Sequence, residues 1–403
     1  MMLLRIALKN IWRNKLRSLV IIFAIAIGLL MGTFASSFVQ GMMSQKIESV
    51  IAHEISHFQF HHPDFRNELD VKKLIQNGAE IRNKLAADPV VVGSTGRLIS
   101  TVMIASANQS GAIKALGIVP SDENKVTDLS GKIVEGQFFS GIRRNPVLVS
   151  SRTAEKYKLK VRSKVVLTFQ DLEGEMVAAA FRVAGIFDTK NGMFDETTLY
   201  VRQDDLEQLI KTASGFYHEI AVKLSENDGA ESTAQKYQDQ YPDLEVKSWL
   251  DLGLGMRNMI EAQDSYTSIV VGIILVALLL IILNTMLMAV LERTREIGML
   301  MAIGMTKGKV FQLILFETIF MALIGGAIGL LLAFGLIEHF GSVGIALNGA
   351  AYEEVGMSNT VFPTLKSWDY IQITFMVVVM SVIAAIFPAF KALSLKPVEA
   401  IRS

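Results

Sequence analysis

The sequence predicts an α-helical membrane protein in which four transmembrane helices carry an α+β extracytoplasmic domain inserted between the first and the second. Three observations lead there. Of 403 residues, 51% are hydrophobic and 19% charged, with a mean hydropathy of +0.39, too apolar for a water-soluble chain of this size. Four windows lack any charged side chain, residues 18–45, 265–291, 318–337 and 370–390. Each holds the roughly 20 residues that a helix rising about 1.5 Å per residue needs to cross about 30 Å of hydrocarbon. Between the first two windows lies a domain-sized stretch, residues 41–264, whose patterning mixes helical and strand periods.

The bulk numbers also exclude functions. Thirty-nine Lys and Arg balance thirty-nine Asp and Glu, so no basic field is available to hold nucleic acid. With no cysteine, disulfides, thiolate metal sites, iron–sulfur clusters and cysteine nucleophiles are ruled out.

Residues 1–17 precede the first span. Leu4, Leu8, Ile11, Trp12 and Leu16 recur at helical spacing, and Arg5, Lys9 and Arg13 make a second row. That pattern predicts a helix lying on the inner leaflet against membrane lipids. The first span, 18–40, carries small residues every fourth position at Ala24, Gly28, Gly32 and Ser36; the third, 313–337, repeats this at Gly325, Gly329 and Ala333. Such rows let helices approach closely, within the chain or between two copies. The second span covers 265–291 and the fourth 370–390.

Orientation follows from the short basic flanks. Arg5, Lys9, Arg13, Lys15 and Arg17 precede the first span, Arg293, Arg295, Lys307 and Lys309 separate the second from the third, and the tail 391–403 holds Lys391, Lys396 and Arg402. The loop 338–369 has only Lys366. Both termini and the segment 292–312 therefore face the cytoplasm, with 41–264 and 338–369 outside. Glu317, at the edge of the third span, is expected to meet headgroups or water. The spans carry no other ionisable group that could form a proton relay.

In the outer domain Val71, Leu74, Ile75, Ile81 and Leu85 follow a helical period, as do residues 204–210. Strands are expected at 90–93, 147–150, 165–169, 177–187 and 198–201, with a hairpin turn at Asp171 to Gly174. An α+β domain, in two lobes, is the expectation.

Three motifs invite chemistry. His53, Glu54 and His57 spell H-E-x-x-H, which on a helix presents two imidazoles to zinc. The surrounding string alternates like a strand instead, where His53, His57 and His61 would share one side and leave room for a metal. Lys156, Lys158, Lys160, Arg162 and Lys164 would all point one way if extended, as a solvated edge or a docking face for anionic lipid. The string GMTKGKV from Gly304 lacks the spacing and the preceding strand of a phosphate loop.

The cytoplasmic stretch ERTREIGMLMAIGMTKGKVFQLILFE from Glu292, the opening ALKNIWRNKLRS from Ala7 and the tail LSLKPVEAIRS from Leu393 resemble the FtsX-like permeases, the group with the MacB-type exporters and the Lol-type lipoprotein-releasing permeases. IVEGQFF at Ile133 and FRVAGIFDT at Phe181 are similar too. The resemblance implies a non-catalytic permease subunit of an ABC transporter in the bacterial inner membrane. It would pair with a second permease, identical or homologous, over two copies of an ATPase subunit that binds ATP and Mg; this chain would hold no cofactor. Arg295, Glu296, Gly298, Leu300, Met301, Ile303 and Gly304 would form the helix that docks on the ATPase, with Ile297, Leu300, Met301 and Ile303 as its apolar face.

In MacB-type exporters the ATPase is fused ahead of the permease, so the resemblance leans to the Lol-type arrangement, closest to its permease subunits. The Lol-type hairpin hook for a periplasmic carrier is replaced here by DLEGE at Asp171. The expected activity is release of lipoprotein or lipidic cargo from the outer leaflet, through an apolar cavity at Phe34, Phe38, Met42, Met259, Ile269 and Ile273. The alternative is mechanotransmission, in which ATP-driven movement of the outer domain expels a periplasmic substrate or activates an envelope hydrolase.

Overall fold

The computed structural model describes residues 2–13, 15–107, 109–227, 229–253, 255–347 and 360–393. The basic tail beyond Leu393 and part of the outer loop, 348–359, fall outside the described residues. The chain divides into two compact units: residues 1–43, 261–346 and 360–403, and residues 44–260 with 347–359.

The first unit is helical. An inner-face helix, Met2–Arg13, leads into span 1, Lys15–Val50; span 2 is Met256–Glu292, span 3 Lys307–Val343 and span 4 Ser367–Leu393. Between spans 2 and 3 a short elbow helix covers Thr294–Ala302. All four spans are long and apolar enough to cross a membrane. Each outruns its charge-free window, because Glu, Gln and Lys end an apolar stretch without ending a helix.

The small-residue rows have definite partners. A β-carbon on Gly325 would meet the Ile22 carbonyl oxygen at 2.7 Å, and one on Gly329 the Ala26 oxygen at 2.6 Å, so span 3 lies backbone to backbone on span 1. Gly28 makes room for the Leu278 side chain of span 2. These glycines serve packing within the chain.

The second unit is built on one ten-stranded sheet. Its strands are β1 Phe58–His61, β2 Val91–Ala105, β3 Ser110–Ile118, β4 Ile133–Gly136, β5 Pro146–Ser150, β6 Lys164–Gln170, β7 Met176–Phe187, β8 Thr198–Arg202, β9 Glu219–Leu224 and β10 Glu245–Ser248. The order is β10-β1-β9-β2-β3-β8-β5-β7-β4, and β6 pairs with both β2 and β7, closing β2, β3, β8, β5, β7 and β6 into a ring. Inward residues of that ring, among them Val102, Leu167, Phe181 and Val201, form one core. The wing β10-β1-β9 forms a second, where Phe58, Phe60 and Val222 pack with Ile81 and Tyr237. β2 joins the two, its first half pairing with β9 and its second half with β3.

All five expected strands are present, as is a helix at Gln203–Ile210. The helical period assigned to Val71 through Leu85 holds only for Gly78–Ala86. Ile75 instead bridges to Tyr217 as an isolated strand pair, so cross-chain pairing overrode the local pattern. The hairpin between β6 and β7 turns at Asp171: its carboxylate accepts from the Glu173 and Glu175 amides (2.9 and 2.8 Å), and Gly174 takes φ +93.

Candidate functional site

The elbow helix is set by its ends. Arg293 leaves helical geometry (φ −100, ψ 14), breaking the chain from span 2. At the other end the Gly304 amide donates to the Met301 carbonyl (3.2 Å) and the Met305 amide to the Leu300 carbonyl (3.0 Å), with Gly304 at φ +101. This is a Schellman stop, which needs a residue free to be left-handed. Gly304, counted among the docking residues in the resemblance, therefore terminates the helix.

One helical face cannot hold all four expected apolar residues. Ile297, Leu300 and Met301 are spaced i, i+3, i+4, and the structure turns them, with Gly298, toward the bundle, where Ile297 and Met301 join the apolar core. Ile303 lies six residues on from Ile297, about 240° around the axis, and is 82% exposed. The outward stripe is Arg295, Met299 and Ile303 at i, i+4, i+8, all exposed. Met299, outside the expected docking set, completes this stripe; its four-residue spacing from the other two was the available signal.

Behind the elbow lies a charged cluster. Glu317, 8% exposed, accepts from Asn10 Nδ2 (2.5 Å) and from Arg293 Nη1 (3.2 and 3.3 Å). Arg293 Nε also donates to Glu296 (3.2 Å), whose carboxylate meets Arg13. The sequence expectation placed Glu317 among headgroups or water; neighbouring helices enclose it instead.

At the opposite, outward ends of spans 1, 2 and 4 opens a cleft of about 540 Å³. Its outer part is polar, with Gln40, Gln263, Thr267, Asp369 and Gln372. Val271, Leu275, Ile373 and Met376 line the deeper part. Gln40 donates to the Asp369 carboxylate (3.1 Å) and accepts from the Lys366 amide (3.1 Å). Ser36, 4% exposed, lines the cleft, and its hydroxyl has no hydrogen-bond partner among the described residues.

None of the expected cargo residues lines this cleft. Phe34 packs edge-on against Phe340 of span 3 (ring centroids 6.0 Å), and Phe38 and Met42 are half-buried. Ile269 and Ile273 are 58% and 66% exposed on span 2, and Met259 belongs to the other compact unit. The reason is angular: Phe34 and Phe38 each stand two residues from Ser36 and Gln40, as Ile269 and Ile273 do from Val271 and Leu275. Two residues are about 200° on a helix, which is the far side.

The remaining motifs resolve as structure. His53 ends span 1's helix in a π-helical turn, Ile51–Ile55, and Ser56 at φ 65 breaks the chain before His57. The two imidazoles do not share a helical face. His57 accepts from the Leu224 amide at Nδ1 (3.2 Å), which leaves Nε2 to donate to Asn227 Oδ1 (2.6 Å). Its ring nitrogens thus tie the residue before β1 to the end of β9 and to the loop that follows it, and burial holds its pKa below the usual value. His61 contacts Gln59 (2.9 Å). Among the described residues no group of three His, Cys, Asp or Glu could hold a metal ion. The basic run is not one extended face either: Lys156 ends a helix, and Lys158 and Arg162 sit at φ 53 and 72.

Comparison with known proteins agrees with the fold. A family model described as FtsX-like permease C-terminal matches residues 268–397, and a MacB-like periplasmic core domain model matches residues 18–240. The chain is 25% identical over 237 residues to the uncharacterized ABC transporter permease YknZ of Bacillus subtilis, covering 57% of this chain and 54% of that one. It is 24% identical over 340 residues to the macrolide export ATP-binding/permease protein MacB of Psychrobacter arcticus, covering 79% and 46%. It is 23% identical over 330 residues to the lipoprotein-releasing system transmembrane protein LolC of Xylella fastidiosa, covering 78% of each. The chain thus spans about half the length of the first two relatives.

Proposed function

The chain belongs to the FtsX-like permeases with a MacB-like periplasmic core domain, multi-pass proteins of the inner membrane, and from that premise we propose that it uses ATP hydrolysis by a separate ABC ATPase to lift lipidic cargo, including lipid-anchored protein, out of the outer leaflet. The observation that carries this reading is the outward cleft. Its lining runs from amides and a carboxylate at the rim to aliphatic side chains below, the order in which a lipid presents headgroup and chains. The Ser36 hydroxyl supplies an unused hydrogen-bonding group at depth.

At the inner face Arg295, Met299 and Ile303 form the surface on which the ATPase docks. ATP and Mg bind to that partner, and a second permease, identical or homologous, completes the complex. The hairpin at Asp171 is closed on itself by its own carboxylate and offers no extended hook for a carrier.

Reconstitution in vesicles with the ATPase tests the reading. ATP-dependent transfer of a fluorescent lipopeptide to an acceptor is expected, and Leu275→Trp, which fills the cleft, should reduce it about tenfold. Hydrolysis with no transfer from any lipidated probe would overturn it in favour of mechanotransmission. That second reading has its own support. Spans 1 and 2 are helices of 36 and 37 residues, well beyond the roughly 20 a bilayer needs, and can convey movement as stiff rods.

A further inference from the structure

Five side chains on three neighbouring segments close a ring at the inner face. Asn10 and Arg13 stand one turn apart on the inner-face helix; Arg293 and Glu296 flank the start of the elbow; Glu317 comes from span 3. The contacts run Asn10 to Glu317 (2.5 Å), Glu317 to Arg293 (3.2 Å), Arg293 to Glu296 (3.2 Å) and Glu296 to Arg13. The helix between Arg13 and Asn10 completes the circuit.

We propose that this ring is a relay, with Glu317 and Arg293 as positioning residues that make the elbow, the inner-face helix and span 3 move as one body when an ATPase displaces the elbow. The proposal rests on the permease reading above. Arg293 sits where the helix breaks between span 2 and the elbow, so a push on the elbow bends the chain at that residue. Its guanidinium reaches both ways, to Glu296 on the elbow and to Glu317 on span 3, a geometry that the planar fork of arginine suits.

The ring resists opening because its inner half is dry. Glu317 and Arg293 side chains are 11% and 16% exposed, with Met286, Ile314 and Leu313 among the residues around them. Separating them would leave two charges in apolar surroundings without compensation, which is far more costly than moving them together. The outer half, Arg13 and Glu296 at 53% and 44% exposure, faces water and adjusts at little cost.

The experiment uses the full permease assembled with its ATPase in lipid vesicles. The chain has no cysteine, so Leu8→Cys with Thr294→Cys gives one pair of spin labels per labelled chain, one on the inner-face helix and one on the elbow; diluting labelled with unlabelled chain keeps one pair per complex. With the ring intact, the label distance should hold within about 2 Å between nucleotide-free and ATP-bound states. In Glu317→Gln the two labels should separate on ATP binding. Cargo released per ATP should fall about tenfold, while hydrolysis stays within about twofold.

The conservative variant Glu317→Asp, which keeps the carboxylate beside Arg293, should keep both readouts near wild type. If Glu317→Gln does not fold, Glu296→Gln on the exposed half gives the same comparison. A wild-type distance that changes with nucleotide, or a variant with unchanged label distances and unchanged release per ATP, would overturn the relay. A wild-type chain that recruits no ATPase would instead mark failure of the permease reading itself.

Discussion

Arg97 in the outer domain and Arg293 at the inner face are each the hub of a buried ion network, and the two networks are built to different ends. Arg97 donates through Nε and Nη2 to Glu123 (3.0 and 2.7 Å) and through Nη1 to Glu219 (2.6 Å). It joins β2, β9 and the helix Pro120–Thr127 within a single domain, at 2% exposure with Glu123 at 0%. The Arg293 network grades from a dry end at Glu317 to a wet end at Arg13, and links segments that are separate helices. A charge cluster sealed on all sides fixes one arrangement; one that opens to water along its length can hold its buried half while the other adjusts. Burial of charge is thus a lock in one unit and a joint in the other.

The sharpest way to break this comparison is to remove the hub of the sealed network. Arg97→Met leaves two carboxylates buried without their cation, and should destabilise the outer domain by about 3–5 kcal/mol. Thermal or denaturant unfolding followed by Trp249, in a Trp12→Phe and Trp368→Phe background, measures it. A loss below about 1 kcal/mol would mean that the network is not the lock described.

The next largest effect is in pH. Burial pulls the His218 pKa down to about 4; its ring accepts from the Ile99 amide and donates to the Val71 carbonyl (both 2.9 Å). Unfolded, the group titrates near 6.5. The unfolded chain therefore binds the extra proton between pH 6.5 and 4, and the domain loses stability as pH falls through that window.

Asp195 acts the other way. Burial raises its pKa to about 6, against the lowering effect of hydrogen bonds from Thr189. The folded state holds the extra proton between about pH 6 and 4, so stability rises as pH falls there. Asp195→Asn should therefore lose about 2 kcal/mol more than wild type on going from pH 6.5 to 4. Parallel curves for the two proteins would remove Asp195 from the account.

Much of this was legible in the sequence, and the failures share a cause. Charge-free windows located the spans and alternation located β5 to β8, because both patterns report on a single element. Errors arose where a residue's role depends on which side of a helix it faces. Ile303 was grouped with Ile297, and Phe34 and Phe38 were expected at a cavity whereas the cleft seen here is lined by Ser36 and Gln40, because hydrophobicity was weighed without the angular offset. Glu317 was read as a wetted edge because nothing in span 3 reveals that Arg293 and Asn10 converge on it from elsewhere in the chain. The His53 and His57 pair failed for a local reason, a left-handed Ser56 that no spacing announces.

A smaller effect separates docking from helix termination at the elbow. Gly304 has φ +101 and no atom within 4 Å of where a β-carbon would stand. Gly304→Ala should cost about 1 kcal/mol through backbone strain alone, and a bulkier residue there would mix strain with any steric block on a partner. Ile303→Glu avoids the mixture: it leaves the backbone and bundle unchanged and places a charge in the outward stripe. Loss of ATPase recruitment, read by co-purification, is expected with unchanged unfolding temperature, whereas full recruitment would place the docking surface elsewhere.

The smallest change in stability belongs to the exposed half of the ring, and it tests the comparison most finely. Arg13→Gln removes a cation whose side chain is 53% exposed beside a carboxylate at 44%, so the folded protein should lose less than about 1 kcal/mol. If the inner-face network were a second lock like that of Arg97, nothing else would follow. If it is a joint, the same substitution removes the direct contact between the inner-face helix and the elbow and leaves them linked only through Asn10, Glu317 and Arg293. The label distance across the ring should then broaden on ATP binding with the unfolding temperature unchanged. Near-neutral stability with altered motion is a pair of results that no deletion in the sealed network of Arg97 can produce, because there any broken pair strands a charge in the core.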